Sequence, residues 1–324
     1  MAEDDSFIGL IAYLKPHYVI PSRRFFTENV LPDLYEELRK NIAAKVAKVD
    51  HVSFTSDIWT CPSSHETFLS LSAHWITVEY VRKNAVFHAS HFSKSHTGVN
   101  IADKLMNMWE AWNLDAQRRR VLVRDGATNM LLGSNLSEIE SIHCSIHIIQ
   151  FIINDAILSH KKDVLVKSRR LATHFNHSAK ACSEFKAIQS QTESEMGKAP
   201  LILLQDVPTR WNSAYLMLRR MEELKRPLQL YLSDHDELPN FSSSEWQIIE
   251  QVVTNLQPFS QLTIEMSAES CPLSTVIPSV STLARFFEKT ADKEGIKITK
   301  QRLLSALRTR LFCASRLEVL LLIS

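Results

Sequence analysis

The sequence is poor in the residues that build disulfide-stapled or membrane-spanning proteins. Its five cysteines are odd in number and widely spaced, and it has no Cys-x-x-Cys pair. This pattern excludes a disulfide framework and favours a reducing compartment. No apolar run approaches the roughly eighteen residues needed to cross a bilayer, and the acidic start MAEDD is unlike a secretory signal. We therefore expect a soluble intracellular protein with no membrane partner.

The chain also lacks an excess of charge of either sign. It has 37 basic and 36 acidic side chains, so its net charge is +1 and any site for a polyanion must be local. Six glycines among 324 residues favour a helix-rich chain. With 45% hydrophobic residues, the composition is globular, and the length suits two domains or one domain with a large insertion.

Hydrophobic periodicity changes twice along the chain. Residues 7–47 show helical spacing, and residues 50–92 alternate with period two, as strands joined by tight polar turns do. An amphipathic helix and two further strand-and-helix units follow. Together these patterns predict strands at about 50–58, 67–78, 84–92, 120–125 and 139–144. This order is the layout of an α/β fold, an RNase H-like mixed five-stranded sheet with helices on its faces.

Strand signals nearly vanish from about residue 160 to 310, where the patterns are helical. We therefore predict that a large all-α insertion domain follows the sheet. The expected domains are an N-terminal helical region at 1–48, an RNase H-like core at 49–160, the insertion at 161–310 and a divergent tail at 311–324.

Asp57 and Asp125 each follow a short apolar strand. Ligands of open α/β sheets bind at the carboxyl ends of strands, and carboxylate oxygens suit Mg²⁺ or Mn²⁺. If the two strands are neighbours, the acids can share one or two divalent ions. The alternative is ordinary turn chemistry, because Asp before Gly is common in turns and Asp57 can simply cap one.

Several blocks in order closely resemble the hAT superfamily of DNA transposases, and most closely its domesticated branch, the zinc finger BED domain-containing proteins. The similarity runs from about residue 7 to 310. The blocks are TSDIWT (55–60), VRDGATNM (123–130), HCSIH (143–147) and QDVPTRWNSAYLMLRRM (205–221), supported by PSRRFFTENVLPDLYEELRK (21–40) and LTIEMSAESCPLSTVIPSV (262–280).

The resemblance implies that Asp57 and Asp125 are the first two acids of the family's catalytic DDE triad. The third acid lies on a helix after the insertion in the family, and we find no match for it in this chain; Glu265 and Glu269 are better explained as solvated helix positions. The BED finger and the C-terminal dimerisation region are also missing from the residues given. We expect weak Mg²⁺ or Mn²⁺ binding at Asp57 and Asp125.

Cys144 and His147 form a Cys-x-x-His pair. The resemblance places this pair near the active site and suggests a positioning role. The alternative is a half-buried pair that packs the start of a helix. As a zinc site it lacks two ligands, so we expect no structural zinc.

Arg210 and Trp211 lie at a predicted helix start. The resemblance suggests that Trp211 stacks on an unpaired or flipped base and that Arg210 contacts a phosphate. A core tryptophan that anchors the insertion is an equally good explanation. Two basic groups are candidates for phosphate contacts or for solvated faces: Arg118, Arg119 and Arg120, and Lys167 with Arg169 and Arg170.

Three functions are compatible with these patterns. The first is a transposase-derived nuclear protein, non-catalytic, that binds DNA or protein partners and regulates transcription; homo-oligomers are compatible with it. The second is a DNA transposase with residual metal-dependent strand cleavage and transfer. The third is an incomplete gene product without an independent role. We favour the first, because the third acid is missing.

Overall fold

The computed structural model describes residues 3–192, 199–268, 271–289 and 297–311. The chain divides into two compact units, Met1–Ser141 and Ile142–Ser324. Apart from Leu311, the predicted tail lies outside the described residues. No helix in the described ranges is both long enough and apolar enough to cross a membrane.

The first unit begins with helices and continues as a sheet with two further helices. The helices are α1 (Asp5–Leu14), α2 (Arg23–Phe25), α3 (Leu31–Val46), α4 (Gly98–Glu110) and α5 (Thr128–Leu136), with a π-helical turn, Phe26–Val30, between α2 and α3. The strands are β1 (Val52–Thr55), β2 (Ile58–Thr60), β3 (Thr67–Ile76), β4 (Arg82–His91), β5 (Arg119–Arg124) and β6 (Ser141–His143), the last of which crosses the boundary between the units.

The sheet is mixed. Its strand order is β2-β3-β1-β5-β6, and β4 also pairs with β3. β3 is antiparallel to β1, β2 and β4, whereas β1 and β5 run parallel. This arrangement confirms the predicted α/β class and the predicted neighbours, with the first and fourth predicted strands side by side.

The predicted count of five strands is one short, because the first predicted strand, 50–58, is divided into β1 and β2. The division is local. Thr55 pairs with Ser72 and Ile58 pairs with Leu69, so both strands keep one antiparallel register on β3. The other four strands lie within two residues of their predicted positions.

The division occurs at Ser56 and Asp57. The side chain of Ser56 donates a hydrogen bond to the carbonyl oxygen of Ser70 on β3, at 2.7 Å. The backbone N–H of Asp57 donates instead to the hydroxyl oxygen of Ser70, at 3.2 Å. At the Ser70 carbonyl a hydroxyl therefore takes the place of a backbone donor, which interrupts the regular ladder at Ser56 and Asp57.

The sheet has two different faces. The core face carries Phe54, Leu69, Leu71 and Leu122, all fully buried, and packs on α4 through Trp109. The Phe54 and Trp109 ring centroids are 5.6 Å apart. We call the other side the open face; on β1 it carries the alternate residues, beginning with the half-buried Ser53 and Thr55.

The described part of the second unit is helical after β6. Its helices are α6 (Ser145–Ala156), α7 (Lys162–His177), α8 (Ala179–Thr192), α9 (Trp211–Glu223), α10 (Lys225–Ser233), α11 (Ser243–Ser267), α12 (Val276–Lys289) and α13 (Lys297–Leu311), with 3₁₀ turns at Leu158–His160 and Leu273–Thr275. The predicted domain boundary, between residues 160 and 161, puts α6 in the core domain, whereas the compact units divide before α6.

Candidate functional site

Asp57 and Asp125 follow two neighbouring parallel strands. Thr55 pairs with Val123, and the N–H of Ser56 still donates to the Val123 carbonyl, at 3.1 Å. The same register, continued by two residues, places Asp57 level with Asp125 on the open face. Neighbouring strands lie about 4.8 Å apart, so two carboxylates in this arrangement are within reach of a single ion.

Each carboxylate has one oxygen engaged by a backbone N–H. Asp57 Oδ1 accepts from Ile58, at 3.0 Å, and Asp125 Oδ1 accepts from Ala127, at 3.1 Å. The Ala127 bond closes a turn of the kind that aspartate forms before glycine. Asp125 thus has the turn role that we gave as an alternative, whereas Asp57 lies in the short break between β1 and β2. Among the described residues, the hydrogen bonds to the two carboxylates use Oδ1, which leaves both Oδ2 atoms for a further ligand.

Arg124, which we did not single out from the sequence, anchors the Asp125 turn. Its guanidinium donates to Ser141 Oγ, at 3.0 Å, and to the carbonyl oxygen of Asp125, at 2.8 Å. The side chain is buried, and Ser141 Oγ also lies 2.8 Å from Ser134 Oγ. A buried cation with oriented acceptors holds the backbone on which Asp125 sits. Nothing in the sequence pattern distinguishes Arg124 from any other basic residue at the end of a strand, so this role could not be predicted.

His74 of β3 lies on the open face, next to β1. Its Nε2 is 3.2 Å from Thr55 Oγ1. Burial lowers the pKa of His74 below its ordinary value, and the positive charge of Arg82 lowers it further. With its pKa lowered, the His74 imidazole is neutral at physiological pH and adds no positive charge to this face.

The two acids suit Mg²⁺ or Mn²⁺ in chemistry, since both offer hard carboxylate oxygens. Within the described ranges there is no cluster of three His, Cys, Asp or Glu side chains able to hold a metal. Glu265 is exposed on α11 and accepts a hydrogen bond from Gln261, whereas Glu269 lies outside the described residues. A two-carboxylate site leaves most of the coordination to water, and the predicted weak binding remains a prediction.

Cys144 and His147 lie at the first turn of α6, in the second unit, and Cys144 is the N-cap residue. Burial raises the pKa of the Cys144 thiol. Hydrogen bonds from the His147 side chain and from the backbone N–H groups of His147 and Ile146 outweigh burial, so the pKa lies below its ordinary value. The pair therefore interacts directly at a helix start; its positioning role remains a prediction.

Arg210 and Trp211 begin α9, also in the second unit. Trp211 is 3% exposed and its ring lies 6.5 Å from that of Phe259, centroid to centroid. Its backbone N–H donates to Gln150 Oε1 of α6, at 2.9 Å. These contacts favour the core-anchor explanation for Trp211, because stacking on a base requires an exposed ring face. Arg210 is exposed and has no ion-pair partner among the described residues, so a phosphate contact remains a prediction for it.

Several of the basic candidates have partners within the fold. Arg118 donates to the carbonyl oxygens at the end of α3, at 2.6 Å and 2.9 Å. Arg119 lies over the Trp109 ring, 4.7 Å from its centroid. Arg169 forms a bidentate ion pair with the fully buried carboxylate of Asp206. These three cations have structural roles within the fold, which neither the phosphate-contact nor the solvated-face explanation had predicted.

Lys167 has a similar structural role. Its ammonium lies 2.7 Å from Glu245 Oε1, and Glu245 forms a capping box with Ser242 at the start of α11. The hydrogen bond from Lys167 lowers the pKa of Glu245, with the backbone of Ser242 contributing in the same direction. The Lys167 ammonium therefore joins α7 to the start of α11.

Two family models match consecutive stretches of the chain. The ZBED1 RNase-like domain matches residues 55–146, and the ZBED1 RNase-like helical domain matches residues 142–255. The first match begins at the end of β1 and confirms the RNase H-like class of the sheet. The second begins where the compact units divide.

Curated relatives extend the similarity over most of the chain. Human zinc finger BED domain-containing protein 4 is 29% identical over 94% of the chain and 27% of its own length. The tpeD protein of Talaromyces stipitatus, provisionally named a transcriptional regulator, is 25% identical over 82% of the chain and 35% of its length. The Hobo transposase of Drosophila melanogaster is 24% identical over 84% of the chain and 40% of its length. The chain thus spans well under half the length of these relatives.

Proposed function

Because this chain belongs to the hAT transposase-derived proteins of the zinc finger BED type, we propose that it binds DNA in the nucleus as a non-catalytic regulator of transcription. One relative is named a transposase and another a transcriptional regulator, so DNA is the ligand class common to those names. Protein partners and a homo-oligomer are compatible with this role.

The observation that carries the proposal is the parallel register of β1 and β5, in which Thr55 pairs with Val123, two residues before each acid. Two carboxylates on one exposed edge repel a bare phosphate backbone. Asp57 and Asp125 would hold a divalent ion, whose positive charge would offset that repulsion. When bound, such an ion polarises a phosphodiester. The protein's part is to hold the two acids level, through the sheet register and the Arg124 anchor.

Residual transposase activity is the second candidate, favoured by the same two acids. Phosphoryl transfer with two ions needs both ions in fixed geometry. The described residues offer two carboxylates at this edge and no cluster of three metal-binding side chains. We therefore favour binding over strand cleavage.

Fluorescence anisotropy with the whole chain and labelled duplex DNA tests the proposal, in Mn²⁺ and in EDTA. We expect weak binding that Mn²⁺ strengthens and salt reduces steeply. Asp57→Asn and Asp125→Asn should remove the Mn²⁺-dependent part. Asp50→Asn is the matched control, because Asp50 is an exposed acid just before β1. DNA binding that is absent, or that is unchanged by Mn²⁺ and by both site variants, contradicts the proposal.

A further inference from the structure

A cavity of about 490 Å³ lies along the exposed side of α11, between α9 and α12. α11 packs on both helices, and Phe259 of α11 is fully buried, with its ring centroid 5.5 Å from that of Phe287 on α12. Five residues at helical spacing on the other side of α11 line the cavity: Thr254, Gln257, Pro258, Gln261 and Ile264. We call this site the α11 cavity. It belongs entirely to the second compact unit.

Pro258 leaves a backbone acceptor beside the α11 cavity. Proline has no N–H, so it cannot donate to the carbonyl oxygen of Thr254, one turn earlier in the helix. The Thr254 hydroxyl is engaged elsewhere, since it donates to the carbonyl oxygen of Glu250, at 2.8 Å. The Thr254 carbonyl therefore lacks its helical i→i−4 donor, and an N–H of a ligand can take that place.

Tyr215 of α9 lines the α11 cavity, although the residue is only 3% exposed. Its ring packs beside that of Trp211, with centroids 6.3 Å apart. Its hydroxyl has no hydrogen-bond partner among the described residues. Buried phenols usually have one, because a desolvated hydroxyl without a partner costs free energy. The Tyr215 hydroxyl thus indicates a ligand that supplies the missing partner.

Arg219 lies one turn after Tyr215 on the same face of α9, and it is the one charged group among the described residues that line the cavity. It is exposed, and the described residues give it no ion-pair partner. The structural explanation is that Arg219 balances Glu222 on the same helix. Burial raises the pKa of Glu222 and the Arg219 charge opposes that rise, yet the two side chains form no ion pair within the described ranges. The guanidinium can therefore pair with a carboxylate from outside the fold.

Two exposed side chains add apolar surface to the lining. Phe286 of α12 is 50% exposed and Ile264 of α11 is 61% exposed. Exposed apolar residues that occur singly are ordinary on a protein surface. Here they share one concave site with convergent polar groups, and its volume falls within the roughly 300–1,000 Å³ of ligand-binding pockets. The α11 cavity thus combines apolar walls with one cation and several hydrogen-bonding groups.

We propose that the α11 cavity binds an acidic, apolar segment of a partner protein. A carboxylate of that segment pairs with Arg219, and a bulky apolar side chain packs on Phe286. The side-chain amides of Gln257 and Gln261 each offer donors and an acceptor, as the backbone of a bound peptide requires.

The class of partner follows from charge complementarity. A lining with one cation, and with no acid among its described residues, suits a segment that brings one carboxylate. A nucleic acid would require several cations along its phosphates. The inference is independent of the proposed DNA site, because Asp57 and Asp125 lie in the first compact unit.

Selection from a phage-displayed library of random 12-residue peptides on the immobilised whole chain tests the inference. Enriched peptides should carry Asp or Glu within about four residues of Phe, Leu or Ile, the span of one helical turn. The most enriched peptide is then synthesised with a fluorescent label, and its anisotropy is measured with each variant. Arg219→Gln should weaken binding about tenfold or more, because a charge-assisted pair is lost. Phe286→Ala should weaken it about fivefold or more.

Tyr215→Phe separates a binding role from a folding role. It removes only a hydroxyl that has no partner among the described residues, so the free energy of unfolding should not fall. Peptide binding should weaken about two- to tenfold, because the hydrogen bond to the ligand is lost. A variant that is destabilised and binds the peptide as the wild type does would contradict the inference.

Arg226→Gln is the matched control, because Arg226 is an exposed arginine on α10 of the same unit and does not line the cavity. It should bind the peptide as the wild type does. The inference is overturned if no peptide is enriched, if the enriched peptides lack acids, or if Arg219→Gln and Arg226→Gln bind the peptide alike. Sedimentation velocity tests for a second copy of the chain: a dimeric wild type and a monomeric Arg219→Gln would assign the cavity to that copy and overturn the inference. Each of these outcomes leaves the proposed function intact.

Discussion

At the scale of single residues, the acids of the candidate site are also structural. Asp57 Oδ1 accepts from the N–H of the next residue, Ile58, and Asp125 closes a turn through Ala127. Such bonds orient each carboxylate before any ligand arrives. Arg124 also fixes the backbone of Asp125, by donating a hydrogen bond to its carbonyl oxygen. Replacing either acid by asparagine therefore changes charge with little change in turn geometry, which makes asparagine the informative substitution.

Cys61 is a second residue whose chemistry depends on a turn. It follows β2, and its N–H donates to Glu66, at 2.8 Å. The hydroxyl of Ser63 lies 3.2 Å from its sulfur. Hydrogen bonds from Ser63, and then from Ser64, lower the pKa of the Cys61 thiol to about 6. The thiolate is thus the main form at neutral pH, and thiolates are the reactive form.

We predict that alkylation of Cys61 by iodoacetamide reaches half its maximal rate near pH 6. Ser63→Ala removes the largest cause and should move the midpoint to higher pH. Mass spectrometry of the tryptic peptide follows the reaction, and Cys61→Ser identifies the signal. A midpoint near the ordinary thiol value, unchanged by Ser63→Ala, would contradict the prediction.

At the scale of elements, α4 and α5 cross at two glycines. A Cβ on Gly98 would lie 2.5 Å from the Leu132 side chain, and one on Gly133 would lie 2.6 Å from the side chain of Ile101. Ile101 is fully buried. The two helices approach closely because neither residue has a side chain at the crossing. This packing keeps α5, and so the turn before it, against the sheet.

We predict that Gly133→Ala lowers the free energy of unfolding by about 1–3 kcal/mol, because the added methyl group overpacks the crossing. Gly9→Ala is the matched control. A Cβ at Gly9 meets nothing within 4 Å, and alanine in an exposed helix should be neutral or stabilise by up to about 1 kcal/mol. Urea unfolding followed by circular dichroism measures both. Equal stability for the two variants would show that the crossing relaxes freely.

At the scale of the whole molecule, the candidate residues fall into two groups. Asp57 and Asp125 belong to the first compact unit, whereas Cys144 and Arg210 belong to the second. A substitution in one group therefore tests a site in one compact unit only. A net charge of +1 also means that non-specific attraction to DNA is weak, so the proposed DNA binding would depend on these local groups.

We predict that the purified whole chain shows no strand cleavage with Mn²⁺ on DNA carrying hAT-type inverted ends. The described residues offer no third metal-binding side chain beside the two acids, so a second ion would be loosely held, and phosphoryl transfer needs both ions fixed. A gel-based nicking assay measures this, with Asp125→Ala as the control for contaminating nucleases. Metal-dependent nicking that disappears in Asp125→Ala would show that residues of this chain complete the site, and the non-enzyme assignment would be wrong.

Much of the fold could be predicted from the sequence, because periodicity depends on local geometry. Alternation of apolar residues predicted the strands before α4, and helical spacing predicted α6 to α12. The division of the first strand at Ser56 could not be predicted, since it depends on a hydroxyl bonded to Ser70 on another strand. The roles of Arg118 and Arg169 were open for the same reason: their partners are far away in the chain.

The sequence by itself determined which residues end the two strands, and so which acids are candidates. Only the tertiary structure decided the register of β1 on β5, in which Thr55 pairs with Val123, two residues before each acid. It also decided that Trp211 is buried while Trp59 is exposed. The physical reason is that a strand's pattern specifies which of its side chains share a face, but not the register that it takes on its neighbour. Pairing and burial are set by contacts between residues distant in sequence, and no local pattern contains them.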